Sequence, residues 1–397
     1  MQPSLLRSAL VLGLLGAVGP FAIDMYLPAM PTIAADLDTS VAATQSTLTA
    51  YFIAFGLAQL VYGPWADQAG RKLPLYFGVS LFLLASLGAW RTDSIAMLTA
   101  LRAVQGLGAA VLMVVPRAII RDMHTGAAAT RLMALVMLVI SVSPMLAPLA
   151  GSGVIALWGW RAIFLVLAIA AAASLTLTAT LQPETLPPER RLPIRARTLL
   201  SGARALLCDA RFMGLTFLGG FGMASFFVFI ATASFVYTGE FGLSPTGFSI
   251  AFALNAVGFF SASQMAGPLA ERFGIETVVR AGTLVFALAA GGLLLLALAG
   301  QAGLTVTVAG LFLGNAGLGV VIPTTMVLAL DDHGENAGLA SSLGGTLQML
   351  AGGVMIGLTG PFFDGTVVPM IASIAVCAGI ALVLSRLTLR RRAPRLV

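Results

Sequence analysis

Long apolar stretches separated by short polar segments dominate the chain. Twelve of these stretches reach the length of about 20 mostly apolar residues that a transmembrane helix needs. They fall at about 8–34, 44–66, 74–92, 95–118, 130–157, 161–181, 211–238, 246–268, 278–299, 304–329, 338–362 and 366–388. The pattern predicts an all-α polytopic membrane protein with twelve transmembrane helices.

The longest polar segment, residues 182–209, divides the helices into two sets of six and is rich in Pro and Arg. We therefore expect an N-terminal six-helix bundle over 1–181, a cytoplasmic linker over 182–209 and a C-terminal six-helix bundle over 210–397. A repeat supports related halves, because GPWADQAG at 63–70 recurs as GPLAERFG at 267–274. Related six-helix halves are typical of secondary transporters, whose substrate site lies between the halves near the bilayer midplane.

Composition and charge support a membrane protein and give its expected orientation. Only 10% of the residues are charged, against about 25% in soluble domains. With the N-terminus inside, 19 of the 22 basic residues fall in inside segments, so we expect both termini in the cytoplasm. The net charge of +6 comes from these loop residues and does not indicate nucleic-acid binding. Arg7 precedes an apolar stretch longer than the core of a signal peptide, so we expect a retained first helix.

The cysteine and histidine residues predict no metal, redox or cofactor site. Cys208 and Cys377 are far apart in the chain, and His124 and His333 fall in loops. Such spacings match no metal or disulfide framework. The sequence also lacks the G-x-x-x-x-G-K-S/T motif of nucleotide-driven proteins, so a proton gradient is the expected driving force.

Asp24 is the only acidic residue inside the predicted helices. A carboxylate in hydrocarbon costs at least about 2.5–3.5 kcal/mol, so it must face water, find a partner or bind a proton. Arg102 in the fourth helix carries a similar cost. A rise of about 1.5 Å per residue places both groups in the outer half at a similar depth, where they would meet directly or through water. The alternatives are a partly exposed loop position for Asp24 and an Arg102 side chain that extends to the outer interface.

Residues 63–72, GPWADQAGRK, predict a tight cytoplasmic turn between the second and third helices. Glycine permits such turns and close helix approach. An aspartate there accepts hydrogen bonds from a helix N-terminus or pairs with an arginine. We expect its partner at the inner end of the fourth helix, in a network that holds one face closed; a generic turn is the alternative. The residues assigned to this gate are Gly63, Asp67, Gly70 and Arg71, with Arg117 and Arg121 as the expected partners.

The predicted fifth helix contains the stretch SPMLAPLAG at 143–151. Proline frees backbone carbonyl groups and bends a helix. Pro144, Pro148 and Gly151 therefore suit a helix that flexes between two states. A static kink is the alternative.

Three segments resemble the motifs of drug:proton antiporters of the major facilitator superfamily. They are residues 63–72, the R-x-x-Q-G of 102–106 and the A-P-L-A-G of 147–151. Gln68 departs from the superfamily's arginine, and Ala147 and Ala150 depart from glycines of the antiporter motif. The stretches that resemble more narrowly the bicyclomycin/chloramphenicol (Bcr/CflA-type) exporters are IDMYLPAMP at 23–31, WRAIF at 160–164, SFFVFIATASFVY at 225–237, FALNAVG at 252–258 and LQML at 347–350. The resemblance implies that Asp24 serves protonation and cationic-drug binding, and that Arg102 serves proton transfer.

Polar and aromatic side chains within the predicted helices are candidates for lining a substrate cavity. Polar residues there also form ordinary hydrogen bonds between helices, and phenylalanines also pack between helices or face lipid, so both alternatives remain. The residues assigned to substrate binding are Asp24, Tyr26, Asn255, Gln348 and Phe227.

Taken with the resemblance, the sequence favours a monomeric, proton-coupled exporter of small hydrophobic drugs that works by alternating access in a bacterial inner membrane. A related transporter of a metabolite, such as a sugar or amino-acid derivative, is the nearest alternative. A membrane enzyme would need paired acids or a metal cluster within the helices. A receptor or scaffold would have a large soluble domain, and the sequence predicts neither feature.

Overall fold

The computed structural model describes residues 5–124, 126–191, 196–331, 333 and 337–389. Within them, twelve helical spans are long and apolar enough to cross a membrane, which confirms the number predicted from the apolar stretches. The helices are α1 (Leu5–Asp24), α2 (Met30–Asp36), α3 (Val41–Ala69), α4 (Lys72–Arg91), α5 (Ile95–Met123), α6 (Gly126–Trp158), α7 (Arg161–Thr180), α8 (Ala196–Cys208), α9 (Ala210–Phe235), α10 (Pro245–Phe273), α11 (Ile275–Leu298), α12 (Leu304–Asp331), α13 (Ala337–Thr359) and α14 (Val367–Thr388).

The first membrane span is broken immediately after Asp24. Helix α1 ends at that residue, a short 3-10 turn covers Leu27–Ala29, and α2 completes the span. Pro28 and Pro31 lie in the first turn of the 3-10 segment and of α2, where a missing backbone N–H leaves no hydrogen bond unmade. The break therefore places the Asp24 carboxylate at a helix end inside the span.

The repeated glycine motif is mostly helical, which corrects the prediction of a turn over residues 63–72. Helix α3 continues through Pro64 to Ala69, and only Gly70 takes a left-handed conformation, with φ of 92°. In the second copy, α10 continues through Pro268, and Gly274 has φ of 83°. Both copies thus end a helix at the same motif position, where glycine tolerates positive φ without strain. Gly63 has no atom close to where a Cβ would lie, so it does not allow a close helix approach here.

The described residues form two compact units. The first contains residues up to Arg195 with Ser234–Ala253 and Ile356–Pro361, and the second contains Ala196–Ala233, Leu254–Met355 and the residues from Phe362 onward. In the first unit, α3 packs on α5, α4 on α5 and α7, and α1 on α6; in the second, α11 packs on α12 and α14. The six-plus-six division with a linker at 182–209, and the cytoplasmic termini, stay predictions. Residues 192–195 of that linker and the basic tail 390–397 lie outside the described residues.

Small residues let α5 approach its neighbours closely. Gly106 lies against the backbone carbonyl of Tyr51 in α3, and Gly108 lies against the carbonyl of Gly78 in α4. A side chain at either position would collide with backbone, which cannot move aside as a side chain can. This contact fixes the height and rotation of α5, and with it the position of Arg102 one turn before Gly106.

Candidate functional site

Asp24 is buried at the end of α1, with only 5% of its surface exposed. The alternative of a partly exposed loop residue is therefore wrong. Its carboxylate accepts a hydrogen bond of 3.4 Å from the hydroxyl of Ser143, which is itself fully buried in α6. The backbone carbonyl of the next residue, Met25, lies against Gly151, which is also in α6. The environment of the carboxylate is thus set by α1 and by the proline-containing segment of α6.

Arg102 is completely buried, so the alternative of a side chain that extends to the outer interface is also wrong. Its Nη1 donates to the carbonyl oxygen of Ala22 at 3.1 Å and to Oε1 of Gln105 at 2.9 Å. Gln105 in turn donates from Nε2 to the hydroxyl of Ser86 at 2.7 Å. The side-chain amide of Gln105 therefore positions the guanidinium, and Ser86 of α4 positions the amide.

Two tyrosine rings flank the Arg102 guanidinium. Its central carbon lies 4.6 Å from the ring centre of Tyr26 and 4.5 Å from that of Tyr51. Cation–π attraction grows when the cation is desolvated, which is the case here. The Tyr26 hydroxyl is within 2.8 Å of the Thr47 hydroxyl, and the Tyr51 hydroxyl donates to the carbonyl of Gly19. Both rings are thereby fixed in position around the charge.

Asp24 and Arg102 are neighbours without a direct ion pair. Among the described residues, neither an ion pair nor a hydrogen bond joins their side chains, and Arg102 Nε and Nη2 have no hydrogen-bond partner. Arg102 nevertheless binds the carbonyl of Ala22, two residues before Asp24. Two donors of a buried guanidinium are thus unsatisfied near a buried carboxylate. Such donors are costly to leave unpaired, and the arrangement is compatible with a rearrangement that pairs them.

Two serine hydroxyls converge on one backbone carbonyl in the proline-containing segment of α6. The carbonyl of Pro148 accepts from Ser152 at 2.9 Å and from Ser249 of α10 at 3.0 Å. The two serine hydroxyls lie 2.7 Å apart, and both also contact the carbonyl of Pro245. This buried cluster joins α6 to the start of α10 within the first unit. It holds the proline-containing segment of α6 in the observed state, and a role for Pro144 and Pro148 in flexing stays a prediction.

Arg71 forms the ionic centre at the other end of the first unit. It makes a two-point contact with Asp122, with Nε to Oδ2 at 2.7 Å and Nη2 to Oδ1 at 3.1 Å, and Nη1 meets Asp67 at 2.5 Å. The prediction that Arg117 or Arg121 pairs with Asp67 is therefore wrong for this structure, and both arginines are exposed. The partner of Asp67 is Arg71, four residues further along the chain, and the side chain of Arg71 is buried.

Glu184 binds the start of α4. Its Oε1 accepts from the backbone N–H of Arg71 at 3.0 Å, and its Oε2 accepts from that of Lys72 at 3.1 Å. Partial burial opposes ionisation, but these hydrogen bonds, another from Leu186 and the charge of Arg191 hold the pKa of Glu184 below its usual value. A Cβ on Gly70 would lie 2.7 Å from Glu184 Oε2, so Gly70 leaves room for this carboxylate as well as providing the turn.

The residues assigned to substrate binding lie in separate surroundings. Tyr26 is buried against Arg102, whereas Asn255, Phe227 and Gln348 are buried in the second unit. There, Asn315 donates to the amide oxygen of Asn255 at 3.5 Å, and the ring of Phe227 lies against Gly352. These contacts give each side chain a packing role in the observed state, and their contact with substrate stays a prediction.

Sequence reasoning missed Ser143, Gln105 and Glu184 as parts of these sites. The partners of Ser143 and Glu184 lie more than a hundred residues away in the chain. A signal was present for Gln105, since it lies three residues after Arg102 on one helix face.

Residues 12–356 match the family described as Major Facilitator Superfamily. The chain is 31% identical over 382 residues to the Bicyclomycin resistance protein homolog of Haemophilus influenzae, covering 96% of this chain and 95% of that protein. It is 34% identical over 360 residues to Multidrug resistance protein D of Escherichia coli, covering 88% and 87%. The crystal structure of a D-xylose-proton symporter superposes with a TM-score of 0.75 at 16% identity, over 97% of this chain and 96% of that one.

Proposed function

This chain belongs to the Major Facilitator Superfamily, and we propose that it exports small hydrophobic drugs in exchange for protons by alternating access. It is a multi-pass membrane transporter by family, and its relatives are named for bicyclomycin and multidrug resistance. We place it in a bacterial inner membrane, as a monomer with both termini in the cytoplasm and with six-helix halves over 1–181 and 210–397 joined by residues 182–209.

The observation that carries the proposal is the buried Asp24, set at a helix break beside a buried arginine that it does not pair with. A carboxylate without an ionic partner in hydrocarbon is stabilised by binding a proton. Opened to the outside, Asp24 takes a proton. Opened to the inside, it releases the proton to the higher cytoplasmic pH, and drug competes for the site.

Arg102 supplies the second part of the exchange. Its Nε and Nη2 are unsatisfied in the observed state, so they are the donors available to an ionised Asp24 or to an acceptor atom on the drug. Until it meets such an acceptor, the guanidinium is stabilised by the two tyrosine rings. Its free energy is then lower than it would be if it were fully exposed to hydrocarbon. Tyr26, Asn255, Gln348 and Phe227 line the drug's path in this proposal.

Conformational change uses the motifs of the first unit. Pro144, Pro148 and Gly151 shape the helix that carries Ser143, so bending α6 moves the hydrogen-bond donor of Asp24. Asp67, Gly70 and Arg71 form the inner gate in this proposal. Pairing of Arg71 with Asp122 and Asp67 is the contact that a change of state would break.

The test is drug/proton exchange by Asp24→Asn in proteoliposomes. We expect proton-coupled export to be lost while protein remains in the membrane. Asp38→Asn is the matched control, because Asp38 is an exposed acid in the turn after α2, and it should exchange at the rate of the wild type. Undiminished exchange by Asp24→Asn would reject the coupling role of this carboxylate.

Drug-susceptibility plates separate this proposal from a metabolite transporter. Expression should raise resistance to hydrophobic drugs, and an uncoupler should remove the effect. Uptake of a labelled sugar or amino-acid derivative, without any change in resistance, would favour the alternative.

A further inference from the structure

Helix α8 is a surface helix of the second unit with an uncovered apolar flank. Its 13 residues span about 20 Å at 1.5 Å per residue, which is too short for the roughly 30 Å hydrocarbon core. Its sequence ARTLLSGARALLC contains two arginines and no acidic residue. Asp209 follows directly and accepts from the backbone N–H groups of Arg211 and Phe212, so α8 is closely joined to the first turn of α9.

One flank of α8 packs on protein. Leu206 is 2% exposed, and Gly202 lies close to the side chain of Leu339 in α13. The other flank is open, with Leu200 71% and Leu207 46% exposed. Since these two leucines are seven residues apart, they lie within about 20° of each other around the helix axis.

Arginine side chains border the open leucines. Arg197 and Arg204 are both exposed, and Arg204 lies about 40° around the helix from Leu200. Apolar side chains bordered by Lys or Arg on one helix are typical of helices that lie in the membrane interface. The leucines enter the boundary of the acyl chains while the guanidinium groups stay at the level of the phosphates.

We propose that α8 lies on the cytoplasmic leaflet and that Arg197 and Arg204 bind the headgroups of anionic phospholipids. The side of the membrane follows from the orientation in the proposed function, but lipid binding does not depend on drug transport. Charge complementarity selects the partner: two exposed cations with no acid on the helix match a negatively charged lipid surface. In this proposal, the lipids that bind α8 also act on the start of α9, which follows α8 directly in the chain.

Cys208 provides a probe at the end of this helix. It is exposed, whereas Cys377 is buried. A polarity-sensitive fluorophore is attached to Cys208 in a full-length Cys377→Ala background, and the protein is reconstituted into phosphatidylcholine vesicles with or without phosphatidylglycerol. Quenching by lipids with a nitroxide near the headgroup is compared with quenching by iodide in water.

We expect lipid quenching to exceed iodide quenching, and to rise when phosphatidylglycerol is present. Each arginine near an anionic surface favours binding by about five-fold. In vesicles with phosphatidylglycerol, the double variant Arg197→Gln/Arg204→Gln should therefore lower the ratio of lipid quenching to iodide quenching by up to about 25-fold. Arg197→Lys/Arg204→Lys should retain the ratio. Arg272→Gln, an exposed arginine elsewhere in the second unit, is the control for net charge and should leave it unchanged.

Two results overturn the proposal. Strong iodide quenching with weak lipid quenching would place α8 in water. Lipid quenching that is equal with and without phosphatidylglycerol, and insensitive to the Gln variants, would leave an interfacial helix that does not recognise anionic headgroups. Inorganic phosphate in the buffer should not reproduce the effect of phosphatidylglycerol; if it does, the arginines form a site for free phosphate instead.

Discussion

The hydroxyl group of Ser143 donates to the carboxylate of Asp24 over 3.4 Å, and both side chains are buried. A hydrogen bond to an ionised carboxylate favours the ionised form, so in the proposed mechanism this donor acts on the proton that Asp24 exchanges. Ser143 directly precedes Pro144, where α6 lacks a regular backbone hydrogen bond. A change in the bend of α6 at Pro144 would therefore move this hydrogen-bond donor directly.

We expect Ser143→Ala to slow drug/proton exchange by about tenfold or more, because a hydrogen bond to a charged group contributes about 1.5–3 kcal/mol. The pH profile of exchange in proteoliposomes should also move relative to the wild type. Ser143→Thr keeps a hydroxyl and should behave more like the wild type. A rate lowered by one factor at every pH would mean that Ser143 only supports packing.

The ring of Tyr51 should matter more than its hydroxyl. Tyr51→Leu removes one of the two rings that flank Arg102 and should lower stability by about 2 kcal/mol, the scale of a desolvated cation–π contact. Tyr51→Phe keeps the ring and loses only the hydrogen bond to Gly19, worth about 1 kcal/mol. Thermal unfolding in detergent measures both. Equal losses in the two variants would contradict a role for the ring.

Gly151 and Gly153 form a matched pair on α6. A Cβ at Gly151 would collide with the backbone carbonyl of Met25, next to Asp24, while nothing lies within 4 Å of the corresponding position at Gly153. Overpacking of this kind costs about 1–3 kcal/mol. Gly151→Ala should therefore lower the unfolding temperature and displace the end of α1, with reduced exchange, and Gly153→Ala should do neither. If both variants are tolerated alike, α1 does not depend on this close approach.

Glu184 should give the protein an acid-sensitive component of stability. Because its pKa is lowered in the folded state, its contribution is present above its ordinary pKa of 4.5 and is lost as the pH falls through the lower folded value. Glu184→Gln should unfold at a lower temperature at pH 7 and lose less than the wild type on acidification.

The unfolding temperature of purified protein, measured from about pH 7 down to about pH 3 so that the series passes below the ordinary pKa of the carboxyl group, tests this expectation. Glu189→Gln is the control, since Glu189 is an exposed acid in the same segment and bears none of the backbone contacts of Glu184. Identical pH dependence in the wild type and Glu184→Gln would show that the negative charge of Glu184 does not stabilise the start of α4.

The twelve spans were predictable because hydrocarbon imposes a length and an apolar composition on every helix that crosses it. The burial of Asp24 and Arg102 was predictable in outline, since helical rise gives depth along the membrane normal. Rotation about each helix axis is set by packing, such as Gly106 against Tyr51, and sequence spacing does not reveal it. For this reason the tyrosine pair around Arg102 was missed.

The motif at 63–72 illustrates a different limit. Its glycines predicted a turn, but α3 extends to Ala69 and only Gly70 is used for its conformation. The partner of Asp67 was sought on another helix, although Arg71 was available four residues away. Glu184 lies in a segment whose composition suggested a solvated linker, and nothing in its sequence indicated that it would bind backbone N–H groups more than a hundred residues earlier.

The setting of Arg102 bears on how the protein is made. Apart from Gln105 on its own helix, the contacts that hold the guanidinium come from Ala22, Tyr26 and Tyr51, all of which are synthesised before α5. An arginine that emerges alone into the bilayer carries a large insertion cost, but here its carbonyl acceptor and both aromatic rings already lie in the membrane when it arrives. The order of the helices along the chain therefore provides partners for Arg102 before α5 is made.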